Sequence, residues 1–194
     1  MATKIMVIRH AERPIVGEDG LPDPNSEGQK VGIMENGSPD PESLIPKGWQ
    51  RAGALVSLFA PISIPIRSGL AVPQALFACK GSSNRPDETI TPLSRRLGLE
   101  INMKYKKKQE VGLVAEASAC AGAVLICWKH EHIDEIELAL TAVSHPWDSN
   151  RYDMIFVFDY DSGSKTWAFS QLPQLLLAGD MIAPFPVVAS APQP

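Results

Sequence analysis

The sequence has few cysteines, no long hydrophobic run and no excess of positive charge. Its three cysteines, Cys79, Cys120 and Cys127, are odd in number and lack CxxC spacing, which indicates buried, reduced thiols. The formal net charge of -4 gives no general reason to bind nucleic acid or an anionic membrane. No signal-peptide pattern and no membrane span is evident, so we expect a cytoplasmic protein. Any affinity for anions must therefore come from a local cluster.

The composition is that of an ordinary globular domain, with 44% hydrophobic and 21% charged residues. We predict a single domain over residues 1–180 and a Pro- and Ala-rich tail over 181–194. Residues 14–46 are rich in Gly, Pro, Asp, Glu and Ser, and a connection of that length is uncommon in compact domains, so we expect a long loop or lid there. The oligomeric state, a homodimer included, is left open.

Short apolar runs alternate along the chain with segments of helical periodicity. Buried strands are predicted at 5–8, 74–80, 101–105 and 123–128. Helices are predicted near 47–59, 110–119 and 132–143. A further helix is predicted with Asp87 or Glu88 in its first turn, a kink or delay at Pro92 and an end at Gly98. The runs 153–160 and 165–172 flank a DSGS turn and form a hairpin. This pattern predicts a three-layer α/β/α sandwich with a mostly parallel central sheet and a C-terminal β-hairpin at the sheet edge.

Cationic or titratable side chains follow three of the predicted strands. Arg9 and His10 follow the first strand, the segment 80–85 follows the second, and Lys129-His130-Glu131 follows the AVLICW strand. Parallel α/β folds place ligand sites beyond the carboxyl ends of their strands. Because clustered cations repel one another unless an anion lies between them, this edge of the sheet predicts an anion site.

These three segments, taken in order, resemble the histidine phosphatase superfamily, which includes the phosphoglycerate mutases and the histidine acid phosphatases. RHAER is similar to its Arg-His-Gly signature, SSNRPDET to its Ser-x-x-Arg-type segment at the head of a helix, and VLICWKHEHI to the second histidine after a central strand. The resemblance spans residues 4 to about 140. It implies a phosphoglycerate mutase-like domain that handles a phosphoryl group on a histidine.

The resemblance also implies a role for each matched residue. His10 would be the nucleophile that accepts the phosphoryl group, Arg9 and Arg85 would bind the phosphate, and His130 would be a further donor. The chemistry agrees, because a neutral imidazole is an adequate nucleophile and bidentate guanidinium groups suit the equatorial oxygens of a phosphoryl group in transfer.

The first motif departs from the superfamily pattern Arg-His-Gly-x-Arg-x-Pro at two positions. Arg13 would match the arginine that follows the histidine in this pattern and would be a further phosphate ligand. The pattern places its proline two positions after that arginine, whereas here Pro14 follows Arg13 directly. Ala11 stands where the pattern has glycine, which adds a methyl group at the turn beside the phosphate. These departures place the position of Arg13 in question.

The proton donor for the leaving oxygen remains open among three glutamates. The acid phosphatase branch of the superfamily uses the residue after the second histidine, which favours Glu131. The mutase branch uses a glutamate from a mid-chain loop, which favours Glu110. Glu12, within the first motif, is the third candidate.

The predicted function is a metal-independent phosphomonoester hydrolase that acts through a phosphohistidine on His10. Its partner would be a small phosphorylated substrate, with no cofactor, nucleic acid or membrane. A phosphomutase, or a phosphate-binding module of the same fold without turnover, are the alternatives. His132 and His145 raise the question of a metal, but no HxxxH or Cys-His spacing supports zinc, so no metal site is expected.

Overall fold

The computed structural model describes residues 1–15 and 31–186. The strands in these residues are β1 (Ala2–Arg9), β2 (Ala75–Ala78), β3 (Ile101–Asn102), β4 (Gly122–Trp128), β5 (Met154–Asp161) and β6 (Thr166–Pro173). The helices are α1 (Pro46–Phe59), α2 (Arg85–Leu97), α3 (Glu110–Ala119) and α4 (Ile133–Thr141), and a 3₁₀ turn at His130–His132 precedes α4. Among these residues no helix is both long enough and apolar enough to cross a lipid bilayer.

The strands form one sheet in the order β3-β2-β4-β1-β5-β6. β3, β2, β4 and β1 are parallel to one another, whereas β5 pairs with β1 in the antiparallel sense and β6 pairs with β5 at the edge. The mostly parallel sheet and the C-terminal hairpin at its edge are therefore confirmed. The hairpin matters for the site, because an antiparallel β5 begins at the edge where β1 ends.

The central strands read as continuous apolar runs because both faces of the sheet are covered. Residues Ile5 to Ile8 of β1 are fully buried, as are Val124 to Trp128 of β4. Along β6 exposed positions alternate with partly buried ones over most of the strand, as expected at an edge. The two central strands thus form a rigid base for whatever follows their carboxyl ends.

Two apolar cores separate the sheet from its helices and confirm the three layers. On one face Leu55 and Phe59 of α1 and Ile90 and Leu93 of α2 pack with Ile8 of β1. The other face is covered by α3 and α4, whose core residues are Leu113, Val114, Ala117, Ile133 and Ile136. Cys79 and Cys127 are buried in these cores, whereas Cys120 is partly exposed because it lies at the surface end of α3.

Helix α2 begins at Arg85 and has Asp87 and Glu88 in its first turn, as the sequence predicts. Pro86 lies in its first turn, where the fixed φ of proline suits a helix start, and this brings Arg85 into the helix. Pro92 lies inside the helix without ending it, and Gly98 ends it with a φ of 67°. The start of α2 at this residue places Arg85 at the sheet edge, next to the residues after β1.

The predicted loop over 14–46 and the predicted tail over 181–194 are described in part, because residues 16–30 and 187–194 lie outside the described ranges. Residues near the end of the loop are packed on α2: the Leu44 amide donates to Glu88 at 2.8 Å, and the Ser43 hydroxyl donates to the same carboxylate at 2.7 Å. At the other end of the chain, Phe185 is buried against Trp147.

Candidate active site

The three polar segments predicted from the sequence lie at one edge of the sheet. The His10 amide donates to the Trp128 carbonyl at 3.0 Å, so the chain after β1 runs beside the chain after β4. The Cys79 amide donates to the Cys127 carbonyl at 3.1 Å, which places the chain after β2 on the other side of β4. The order of the strands therefore brings the three cationic segments together.

His10 is buried, and one ring nitrogen has a fixed role. Nδ1 lies 2.8 Å from the carbonyl oxygen of Ala11. Because a carbonyl only accepts, Nδ1 carries the proton and Nε2 keeps its lone pair. Burial lowers the pKa of His10 well below 6.5, and the charges of Arg9 and Arg85 lower it further. The hydrogen bond to Ala11 acts in the opposite direction. The ring is therefore a neutral imidazole with Nε2 as its nucleophilic atom.

Ala11, the residue in place of the pattern's glycine, is accommodated by packing. Its amide donates to the Thr89 hydroxyl at 2.8 Å, and that hydroxyl donates to the Arg85 carbonyl at 2.6 Å. Its methyl group packs in a small apolar cluster with Leu44 and Ala52. The extra carbon therefore forms part of the packing beneath the motif, and the hydroxyl of Thr89 ties the motif to α2.

Arg9 is buried and only partly paired. Its Nη1 donates to the carbonyl oxygens of Ser149 and Arg151, the latter at 3.1 Å, and its guanidinium carbon lies 3.7 Å from the centre of the Tyr152 ring. Its Nε is buried without a partner among the described residues. Burial lowers the pKa of Arg9, although Tyr152 opposes the shift. A buried N–H without an acceptor is costly, which points to an anion as its partner.

Arg85 is held by the loop that precedes α1. Its Nε donates to the Ser43 carbonyl at 3.3 Å, its Nη2 donates to the Pro41 carbonyl, and Glu42 lies 3.6 Å from Nη2. Burial lowers its pKa, and Glu42 opposes the shift. These contacts hold the guanidinium group at the head of α2, where the positive end of the helix dipole adds to the attraction for an anion.

Arg13 lies with the other cations in spite of the displaced proline. Burial is the main cause of a lowered pKa in four groups, and the charge of Arg13 contributes further lowering in each of them. The four groups are Arg9, His10, Arg85 and His130. Arg13 therefore lies within electrostatic range of all four groups.

His130 and Glu131 lie in the 3₁₀ turn that follows β4. Nδ1 of His130 is buried and 3.4 Å from a Glu131 oxygen, without the geometry of a hydrogen bond. Burial lowers the pKa of His130, and the charge of Arg9 contributes. For Glu131 burial raises the pKa, but a hydrogen bond from its own amide and the neighbouring His130 outweigh burial, so the pKa is lowered. Its side chain is 52% exposed, open to a substrate.

The two other candidate proton donors are engaged elsewhere. One oxygen of Glu110 accepts from the Trp128 indole at 2.9 Å, which holds this buried carboxylate of α3 against the end of β4. Glu12 accepts from Arg51 at 2.8 Å, and Arg51 also binds Asp180 at 2.7 Å. The Glu12 carboxylate is thus held in a buried ion pair that points it at Arg51. Of the three glutamates, Glu131 is the exposed one beside His130.

Sequence reasoning missed the residues that reach the site from β5 and α2. Tyr152, just before β5, has its ring 6.1 Å from the His10 ring and lies under Arg9. The signal was available, because a strand antiparallel to β1 must begin at the edge where β1 ends.

A cavity of about 450 Å³ adjoins this edge and is lined by Arg13, Lys47 and Tyr152 among others, while His10 lies outside its lining.

Comparisons with known proteins bear on the fold. No family model and no curated protein matches the sequence. The solved structure of the protein histidine phosphatase SixA, complexed with tungstate, matches with a TM-score of 0.51 and 11% identity over 88% of this chain and 97% of SixA. Ecdysone phosphate phosphatase from Bombix mori, also complexed with tungstate, matches with a TM-score of 0.47 and 13% identity over 98% and 96%. The first likeness confirms the predicted resemblance at the level of structure: the chain has the histidine phosphatase fold.

Proposed function

We propose that the protein is a phosphomonoester hydrolase that works through a phosphohistidine on His10. The observation that carries this proposal is the state of His10, a buried neutral ring whose Nδ1–H is fixed on the Ala11 carbonyl. Nε2 is thereby the nucleophilic atom, and Arg9, Arg13 and Arg85 are close enough to change the pKa of the ring. Cations around a neutral nucleophile suit a phosphate dianion.

In the first step Nε2 of His10 attacks phosphorus. The Nε2–P bond forms as the bond from phosphorus to the ester oxygen breaks, and the leaving oxygen takes a proton from Glu131. The guanidinium groups of Arg9 and Arg85 stabilise the charge on the equatorial oxygens of the transferring group. A phosphate dianion in the site raises the pKa of the nearby Glu131, which helps that carboxyl to hold its proton.

In the second step water attacks the phosphohistidine. Glu131, now a carboxylate, takes a proton from the water as the new P–O bond forms and the P–N bond breaks. Inorganic phosphate leaves, His10 returns to its neutral form, and Glu131 is protonated again. Nδ1 keeps its hydrogen bond to the Ala11 carbonyl throughout, so the ring does not have to reorient between steps.

The cavity beside the anion site is the place we assign to the leaving group. Its volume of about 450 Å³ suits a small molecule, and the lining includes both charged side chains and the Tyr152 ring. Arg13 contributes both to this cavity and to the cationic cluster, so it joins the two. This supports a small phosphorylated molecule as substrate.

One observation favours a phosphate-binding module without turnover. The pKa of Glu131 is lowered, so its carboxyl is ionised at neutral pH before an anion binds. A site with cations and no protonated donor would bind phosphate without cleaving an alkyl ester. The methyl group of Ala11, by contrast, packs on Leu44 and Ala52 and does not favour this alternative.

The test is a screen of phosphorylated metabolites for release of inorganic phosphate. The His10→Ala variant, purified in the same way, shows any contaminating phosphatase. We expect release by the wild type and none by the variant. Equal release by both would contradict the proposal, while transfer of phosphate within a substrate without release would identify a mutase, and binding of phosphate with no turnover would identify the binding module.

A further inference from the structure

A second cluster of titratable side chains lies apart from the cationic residues, where α3 approaches the start of α4. Glu110 begins α3, His132 ends the 3₁₀ turn, and Glu135 lies in the first turn of α4. Each of the three offers one oxygen or nitrogen atom, and these atoms all lie within 4.8 Å of one another. Such spacing is that of atoms around a common centre.

Glu110 has one carboxylate oxygen in use and one without a partner. Oε1 accepts from the Trp128 indole at 2.9 Å and from the Lys108 amide at 3.2 Å. Oε2 is buried and has no hydrogen-bond partner among the described residues, in a residue that is only 3% exposed. A buried carboxylate oxygen left without a donor is costly, so this oxygen points to a ligand that the two other side chains share.

His132 and Glu135 complete the cluster from the solvent side. His132 Nδ1 and Glu135 Oε1 lie 2.7 Å apart, and the Glu135 side chain is 45% exposed. A cavity of about 240 Å³ is lined by residues that include Glu110, Glu135 and Lys108. The cavity therefore brings solvent to the edge of the cluster, beside Glu110 and Glu135.

The charges of the cluster call for a cation. Two carboxylates this close repel each other unless a proton or a positive ion is shared between them. Lys108 is the nearby cation, and its charge is a smaller cause of the lowered pKa of Glu135 than the hydrogen bond with His132. The Lys108 backbone amide donates to Glu110, which keeps this residue beside the cluster. Its ammonium group is therefore the alternative to a bound ion as the source of positive charge.

We propose that Glu110, His132 and Glu135 form a binding site for a divalent cation of the zinc class. One imidazole and two carboxylates are a donor set that Zn²⁺ accepts, with water in the remaining position. Mg²⁺ and Ca²⁺ prefer oxygen ligands alone, so the imidazole favours zinc over both. Because His132 ends the turn that carries His130 and Glu131, an occupied site ties that turn to α3.

The sequence pattern did not predict this site because its ligands come from two separate segments. His132 and Glu135 are three positions apart at the start of a helix, while Glu110 comes from another helix. A His-x-x-Glu pair alone is too short a pattern to indicate a metal site. Only the packing of α3 beside α4 brings the three together.

The test is a calorimetric titration of the full chain with ZnCl₂ after treatment with EDTA and desalting. We expect one Zn²⁺ per chain and much weaker binding of MgCl₂. Glu135→Gln keeps the shape of an exposed side chain and should weaken zinc binding by at least about 10-fold. His132→Ala should weaken it by at least the same factor, because loss of even a hydrogen-bonding partner of a metal ligand lowers metal affinity by about 10-fold or more. Asp134→Asn, a neighbouring acid outside the cluster, is the matched control and should leave the affinity unchanged.

Three outcomes would overturn the proposal. The first is no stoichiometric heat with zinc, and the second is equal affinity in the wild type, Glu135→Gln and His132→Ala. The third is binding that is lost in His10→Ala instead, which would place the zinc among the residues of the anion site. Circular dichroism without metal shows whether each variant is folded. The titration needs no substrate, so its result is separate from the test for phosphatase activity.

Discussion

Nδ1 of His10 lies 2.8 Å from the carbonyl oxygen of Ala11, the next residue in the chain. The tautomer of the ring is therefore set by the backbone and does not depend on any second side chain. The strand that ends at Arg9 holds that backbone, because the His10 amide is bonded to the Trp128 carbonyl. The proposed nucleophile, His10, is thus positioned by the two central strands of the sheet.

The first prediction concerns the titration of His10. Burial lowers the pKa of this ring well below 6.5, and the nearby arginines add to the effect. A histidine with a lowered pKa is neutral above that lowered value and loses its nucleophilic lone pair only below it. We expect the ring signals of His10 in an NMR titration, assigned with the His10→Ala variant, to show no protonation through the usual histidine range. A midpoint near 6.5 would contradict the description of the site.

The second prediction concerns Glu131 as the proton donor. Glu131→Gln keeps the shape of the side chain and removes its proton, so turnover of an alkyl phosphate should fall on the order of 100-fold. An aryl phosphate has a good leaving group and should be nearly spared in the first step. Asp134→Asn is the control for the loss of a nearby charge. Because Glu131 would also activate water in the second step, both rates are measured as release of the alcohol in the first turnover. Equal losses on both substrates in that turnover would show that Glu131 positions the site and that the donor is another group.

The third prediction concerns metals and oxyanions. Arginines carry out the electrostatic stabilisation in the proposed reaction, so we expect activity to survive chelators and to gain little from added magnesium. Vanadate, which adopts the five-coordinate geometry of phosphorus in transfer, should inhibit strongly. Loss of activity in EDTA that is restored by a metal would count against this mechanism. The proposed zinc site at Glu110, His132 and Glu135 takes no part in these catalytic steps.

The fourth prediction concerns stability. Arg51 is 2% exposed and binds both Glu12 and Asp180, which joins the motif after β1 to the C-terminal segment. Arg51→Ala leaves two carboxylates unpaired and should lower the free energy of unfolding by about 3 to 5 kcal/mol. Urea unfolding measures the change, with the exposed Arg96→Ala as control, expected to stay within about 0.5 kcal/mol. A similar small change in both variants would show that the buried network contributes little.

The fold could be predicted because its signals are local. Each apolar run of strand length became a strand, and the helical periodicities gave α1, α3 and α4 close to their observed bounds. The first turn of α2 contains Asp87 and Glu88 and the helix ends at Gly98, as predicted, whereas Pro92 lies inside the helix and does not delay its start. The alternation of strands and helices predicts a mostly parallel sheet and the DSGS turn predicts the hairpin, whereas the strand order β3-β2-β4-β1-β5-β6 depends on packing between distant segments.

The site could be predicted only where its residues follow parallel strands. Arg9 ends β1 and His10 follows it, His130 begins the turn after β4, and Arg85 begins the helix after β2. Tyr152 and Thr89 were missed because their positions depend on the antiparallel sense of β5 and on a hydroxyl reaching across to Ala11. The partners of Glu12 were likewise hidden, since Arg51 and Asp180 lie far away in sequence.

The most direct test of the proposed mechanism is to trap the phosphoryl enzyme. The chain is mixed rapidly with a ³²P-labelled phosphomonoester, denatured in alkali, and digested for mass spectrometry. We predict a label that survives alkali, is lost in acid and lies on His10, with none in the His10→Ala variant. A label on another residue, or phosphate release with no labelled enzyme at any mixing time, would contradict the phosphohistidine mechanism.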